Sequence, residues 1–74
     1  MNHKQRIDAD IMSHRIIKLR EVMFAVPLCR SSIYSKIAEG SFPKPVPLGG
    51  RAVGWLEEEI QKWIQDQIEQ RDKG

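Results

Sequence analysis

Apolar residues in this chain recur at two different periods, and the change of period divides it. Leu19, Val22, Met23 and Val26 stand at offsets of 3, 4 and 7, the spacing that lines one face of a helix. Pro27 follows. It has no N–H for the helical ladder and turns the preceding residue away from helical geometry. The pattern predicts a helix from Leu19 to Ala25, with Glu21 in the first turn, where the dipole favours a carboxylate. Ile17, just ahead of it, is expected to enter in extended form. After a turn of about four residues, Ile33 and Ile37 mark the buried face of a second helix. It begins at Arg30 and closes at Gly40, a residue suited to the left-handed geometry of helix ends.

Beyond Phe42 the period drops to two. Val46 alternates with Leu48, and Val53 with Trp55, around Gly49-Gly50. That is a hairpin signal with Gly49 and Gly50 at the turn centre, because the favoured turn needs positive φ at both positions. Pro45 and Pro47 confine the first strand to a sheet edge. The expected element is a two-stranded ribbon that needs a helix beneath it. Leu56, Ile60, Trp63 and Ile64, with Ile68 at the margin, then form the stripe of a last helix. Glu57, Glu58 and Glu59 crowd its first turn, and no apolar residue follows Ile68, so the helix is expected to fray there. The order is helix, turn, helix, hairpin, helix. The core predicted from it comprises Leu19, Val22, Val26, Leu28, Ile33, Ile37, Phe42, Val53, Trp55, Ile60 and Trp63.

Length and composition narrow the function. At 74 residues the chain supports one small domain and no deep catalytic pocket. Its expected division is a polar tail over 1–13, a domain over 14–70 and a frayed end over 71–74. The single cysteine, Cys29, excludes an internal disulfide framework and a cysteine-rich zinc site, which suits a reducing, cytoplasmic setting. His3 and His14 are isolated, so no metal ligand set is expected. No apolar run approaches a membrane span or a secretory signal. No phosphate-binding glycine loop or catalytic triad is present, and the reading is non-enzymatic, without a cofactor. Charge is unevenly placed. Residues 1–51 hold nine Lys/Arg and four Asp/Glu, a balance of +5, whereas residues 52–74 hold three and six, a balance of −3. A basic front suggests a polyanionic partner, although ordinary solvation yields the same numbers.

The second helix carries the sharper signal. In "CRSSIYSKIAEG", residues 29–40, Ser31 and Ser35 point nearly opposite Ile33 and Ile37, with Ser32 and Glu39 on one flank. Serine is a poorer helix former than the Glu or Lys usual on a surface. Short hydroxyls let a helix lie deep in a major groove, which is about as wide as a helix with its side chains. Arg30 is suited to guanine, and Tyr34 borders the apolar face with its hydroxyl free for a phosphate. The alternative is a solvated amphipathic helix of low propensity. Arg51, at or beside the hairpin tip, would place a guanidinium on a neighbouring minor groove or phosphate, or else pair with a glutamate of the last helix. Lys44 enters the same ribbon and could equally serve edge protection. Trp55 and Trp63 fit the core. Cys29 takes the cap position of the second helix, where a thiol is a weak acceptor, and Arg30 beside it could lower its pKa.

Ser32-Ile33-Tyr34, Gly40, Phe42-Pro43, Gly50-Arg51, Val53-Gly54-Trp55 and Trp63, at these spacings, resemble the AlpA-type phage and prophage regulators. These are small relatives of excisionase and MerR-like winged helix-turn-helix domains. The resemblance covers roughly Ile17 to Ile64. It implies a mainly α fold, a small winged helix-turn-helix with a two-stranded wing and a C-terminal helix. It also implies a recognition helix carrying Arg30, Ser31, Ser32, Tyr34, Ser35 and Lys36 into the major groove, and a wing carrying Arg51. One departure is Pro27-Leu28-Cys29 where the family usually has Gly-Leu-Ser, implying a tighter turn and a weaker cap.

The expected function is a sequence-specific, double-stranded-DNA-binding transcriptional regulator of phage type. The alternatives are an excisionase-like architectural factor working with an integrase or recombinase, and a protein-interaction adaptor. The chain is expected to be monomeric in solution and able to bind neighbouring sites cooperatively.

Overall fold

The computed structural model describes residues 14–73. The expected tail over 1–13 lies outside the described residues. Three helices surround a three-stranded antiparallel sheet of order β1–β3–β2, consistent with a small winged helix-turn-helix.

The sheet differs from the expected ribbon by one strand. Ile16–Ile17 form β1 and pair with β3, Ala52–Leu56, in the register Ile16 to Leu56 and Ile17 to Trp55. Two residues are too few to display a period, so only the extended entry of Ile17 was legible. β3 is thus central and β2, Val46–Gly49, is the outer edge. Pro47 lies within that edge strand and Pro45 just before it, where a missing N–H costs least.

The hairpin turn also sits one residue later than expected. Gly50 and Arg51 occupy it, and Gly49 pairs with Ala52. Val46 pairs with Gly54 and Pro47 with Val53, so two steps along β2 between Pro47 and Gly49 match one along β3. β2 therefore holds one extra residue, a bulge at Leu48, which increases local twist. Gly49 and Gly50 both have positive φ, 113° and 56°. The first belongs to the irregular stretch and the second to the turn.

Helix α1 spans Leu19–Ala25. The Lys18 N–H donates to the Glu21 carboxylate at 3.2 Å, which satisfies one amide at its start. Beyond its end, the Leu28 N–H donates to the Val26 carbonyl at 2.6 Å, a γ-turn on Pro27. That γ-turn lies within the Pro27-Leu28-Cys29 link between the helices. Helix α2 spans Arg30–Glu39. Gly40, at φ 81°, closes it in a Schellman arrangement, with Gly40 N–H to Ile37 O at 3.0 Å and Ser41 N–H to Lys36 O at 2.9 Å.

Helix α3 spans Glu57–Lys73. It does not end near Ile68 as the apolar stripe suggested. Arg71 and Lys73 lie in its last turn, where cations complement the dipole. Its first amide, on Glu57, donates to the Arg15 carbonyl at 2.8 Å and so joins α3 to the entry of β1. No described helix is long and apolar enough to cross a membrane.

Ile17, Val22, Val26, Ile33, Phe42, Trp55 and Ile60 form the buried core. Leu19, Met23, Leu28, Ile37, Val53, Trp63 and Ile64 pack around it. Of the predicted core, Val22, Val26, Ile33, Phe42, Trp55 and Ile60 are buried, whereas Leu19, Leu28, Ile37, Val53 and Trp63 are half-buried against them, and Ile17 joins the core through β1. The loop after α2 is stapled to both neighbours. The Trp55 Nε1–H donates to Pro43 O at 3.0 Å, and the Trp63 Nε1–H to Ser41 O at 2.7 Å. Phe42 meets Trp63 edge-on at 4.9 Å between centroids. Buried indoles need such partners for their N–H groups. Phe24 is the outlier, 93% exposed, beside a groove between α1 and α3 lined by Ile17, Ala25, Ile60 and Ile64.

Candidate nucleic-acid interface

The site begins with the way Ile33 roots α2. Ile33 is fully buried, which turns the opposite side of the helix outward. Ser31 and Ser35 lie there, exposed, and Ser32 and Lys36 are half-buried beside them. Together with Glu39 these four residues line one shallow, open groove. Arg30 and Tyr34 occupy the other flank of α2. Tyr34 meets Trp55 of β3 edge-on, with centroids 6.3 Å apart and planes at 69°. The Arg30 guanidinium carbon lies 5.9 Å from the Tyr34 ring centroid.

That aromatic contact ties α2 to the strand that leads to the wing tip. Arg51 immediately precedes β3, and Trp55 lies within it. At ~3.3 Å per strand residue, the tip stands about 13 Å along the strand from the Tyr34–Trp55 contact. Arg51 and Lys44 are both exposed. Neither makes an ion pair among the described residues. The carboxylates at the start of α3 meet other partners. Glu58 meets His14 at 3.2 Å, and Glu57 and Glu21 lie 4.0 and 3.9 Å from Arg15. Pairing of Arg51 with a glutamate of α3, one of the two readings of that residue, is not what forms.

The comparisons with known proteins bear on this surface. The family described as Prophage CP4-57 regulatory protein (AlpA) matches residues 15–68. The chain belongs to the AlpA family. A relative from Enterobacteria phage P4, ORF88, is 42% identical over 65 residues, covering 88% of this chain and 74% of that protein. A second, from Escherichia coli K12, is named DNA-binding transcriptional activator AlpA. It is 36% identical over 56 residues, covering 68% of this chain and 80% of its own. The AlpA resemblance of Ser32-Ile33-Tyr34, Gly50-Arg51 and Val53-Gly54-Trp55 is thus family membership. The structure gives those residues physical tasks: Ile33 and Trp55 fill the core, and Gly54 is buried within the sheet.

In this AlpA-family chain, Cys29 is the N-cap of α2, in extended backbone at φ −74° and ψ 165°, and its side chain makes no well-formed capping hydrogen bond. The cap is weak, as a thiol should be. Its sulfur lies instead 3.4 Å from the Ser31 hydroxyl and 3.2 Å from that of Ser32. These hydroxyls, Ser31 foremost and Ser32 next, lower the exposed thiol to a pKa of about 7. The residue expected to lower it, Arg30, is not among the causes. Sequence reasoning also missed the stacking of Arg30 on Tyr34. The signal was present in their separation of four, which makes two residues neighbours on a helix surface.

Proposed function

We propose that this protein is a sequence-specific double-stranded-DNA-binding transcriptional regulator of phage type. In this reading α2 enters the major groove, and the wing bears on adjacent backbone or minor groove. The observation that carries it is the exposed Ser31–Ser35 side of α2, opposite buried Ile33 and flanked by Arg30. A helix with so low an outer surface brings its backbone close to base edges, where hydroxyls and a guanidinium have partners. Arg30, Ser31, Ser32, Tyr34, Ser35 and Lys36 are the contacts from α2, and Arg51 and Lys44 those from the wing. The Escherichia coli relative, a DNA-binding transcriptional activator by name, supports the same reading.

Fluorescence anisotropy on a duplex selected from a random pool tests it. The expected result is selective affinity that falls steeply as salt rises, because bound cations release counterions from the duplex. Failure to bind any duplex at low salt would overturn the reading. Ser35→Glu sets a carboxylate where the groove floor would lie. It is expected to weaken binding at least about tenfold by like-charge repulsion and bulk, with an unchanged melting temperature. Circular-permutation gel shifts on the selected site separate regulation alone from an architectural role, since only the latter requires a bent site.

A further inference from the structure

We infer that Tyr34 is a positioning residue for Arg30, so that base recognition by the guanidinium depends on a ring braced by the hydrophobic core. The inference rests on the DNA-binding reading above. The brace starts inside. Trp55 is fully buried, and its Nε1–H is held by Pro43 O at 3.0 Å. One polar anchor and a packed ring leave the indole little freedom to rotate. Tyr34 abuts it edge-on at 6.3 Å and 69°, an orientation that ring quadrupoles favour. Arg30 lies 5.9 Å from the Tyr34 centroid, within the range at which a guanidinium is attracted to an aromatic face.

Arg30 forms no ion pair or side-chain hydrogen bond among the described residues, so the ring is its support there. A long unsupported side chain has many rotamers and must surrender them on binding a base edge. Guanine reading is especially exacting, because both arms of a planar fork must align at once. Support before contact therefore favours the correct base over a phosphate, which accepts a guanidinium from many directions. Tyr34 divides into two separable parts. The ring supports Arg30, while the hydroxyl is free to reach the backbone of any duplex.

The test uses the full chain, with the selected duplex and a random duplex of equal length. Tyr34→Phe keeps the ring and is expected to preserve the ratio of selected to random affinity within about twofold, with any loss shared by both duplexes. Tyr34→Leu removes the ring and should reduce that ratio about three- to tenfold. On an Arg30→Ala background the same change should leave the ratio unaltered, because the supported group is gone. A Tyr34→Leu loss equal on both duplexes, or persisting with Arg30→Ala, would overturn the inference and leave a merely structural tyrosine.

A measurement on the free protein guards against misfolding of Tyr34→Leu. The Arg30 Hδ protons should show an upfield ring-current shift in the wild type and in Tyr34→Phe. No such shift in the wild type would overturn the inference. A wild type that binds no duplex would bring down the underlying reading as well, which distinguishes the two failures.

Discussion

Cys29 illustrates how far a single side chain can depart from its ordinary chemistry without burial. Its thiol is lowered to about 7 by the hydroxyls of Ser31 and then Ser32, which donate to the thiolate and outweigh a smaller desolvation effect in the opposite direction. Alkylation by iodoacetamide should follow the thiolate fraction, with a midpoint near pH 7 rather than the usual ~8.5. Ser31→Ala should move that midpoint upward. The sign for stability follows from linkage. The folded state releases the proton before the unfolded state does. Ionisation of this group therefore favours folding increasingly as pH rises from about 7 toward the unfolded value, and the contribution disappears as pH falls through 7. The modest position of Cys29 as a cap was legible in the sequence. Its acidity was not, because that depends on two hydroxyls at offsets of two and three residues turning back toward the sulfur.

Among the elements, the central strand leaves no room for a side chain at Gly54. A Cβ added at Gly54 would collide with Cγ2 of Ile16 on β1 and come within 3.2 Å of the Ile17 carbonyl oxygen. Gly54→Ala is expected to lower stability by about 1–3 kcal/mol, the usual cost of overpacking, seen as a reduced urea midpoint. The helices were legible because their apolar residues recur at helical spacing, over about one turn in α2 and further in α1 and α3, and because Pro27 and Gly40 stop the first two. Their bounds at Leu19–Ala25 and the start at Arg30 agree with the pattern. β1 was not legible as a strand, since two residues supply no alternation and its pairing partner lies forty positions away in sequence. The end of α3 was misjudged for a related reason. Periodicity records what faces the core, and the final turn of α3 faces solvent throughout. Of the candidate interface, the outward serines of α2 followed directly from helical geometry, whereas the edge-on contact of Tyr34 with Trp55, which extends the Arg30–Tyr34 pair, required the fold to bring β3 against α2.

At the level of the whole molecule, the acidic and basic halves are not joined through Arg51. The carboxylates at the start of α3 engage His14 and Arg15 instead. Arg51 at the wing tip is thus left without an ion pair among the described residues. Arg51→Ala is expected to weaken duplex binding to a similar degree on selected and random sequence and to reduce the slope of log affinity against log salt by about 1. Thermal melting should be unchanged, because Arg51 is exposed and outside the core. An unaltered salt slope would remove the wing from the interface.

The bulge at Leu48 sets the bearing of the wing rather than the residues at its tip. The outer arm holds one residue more than the part of β3 it faces, and an insertion of that kind bends the strand and deepens its right-handed twist. The turn at Gly50 and Arg51 is thereby swung off the line of a flat ribbon. Deleting Leu48 should straighten the arm and redirect the turn while leaving the same two residues in it.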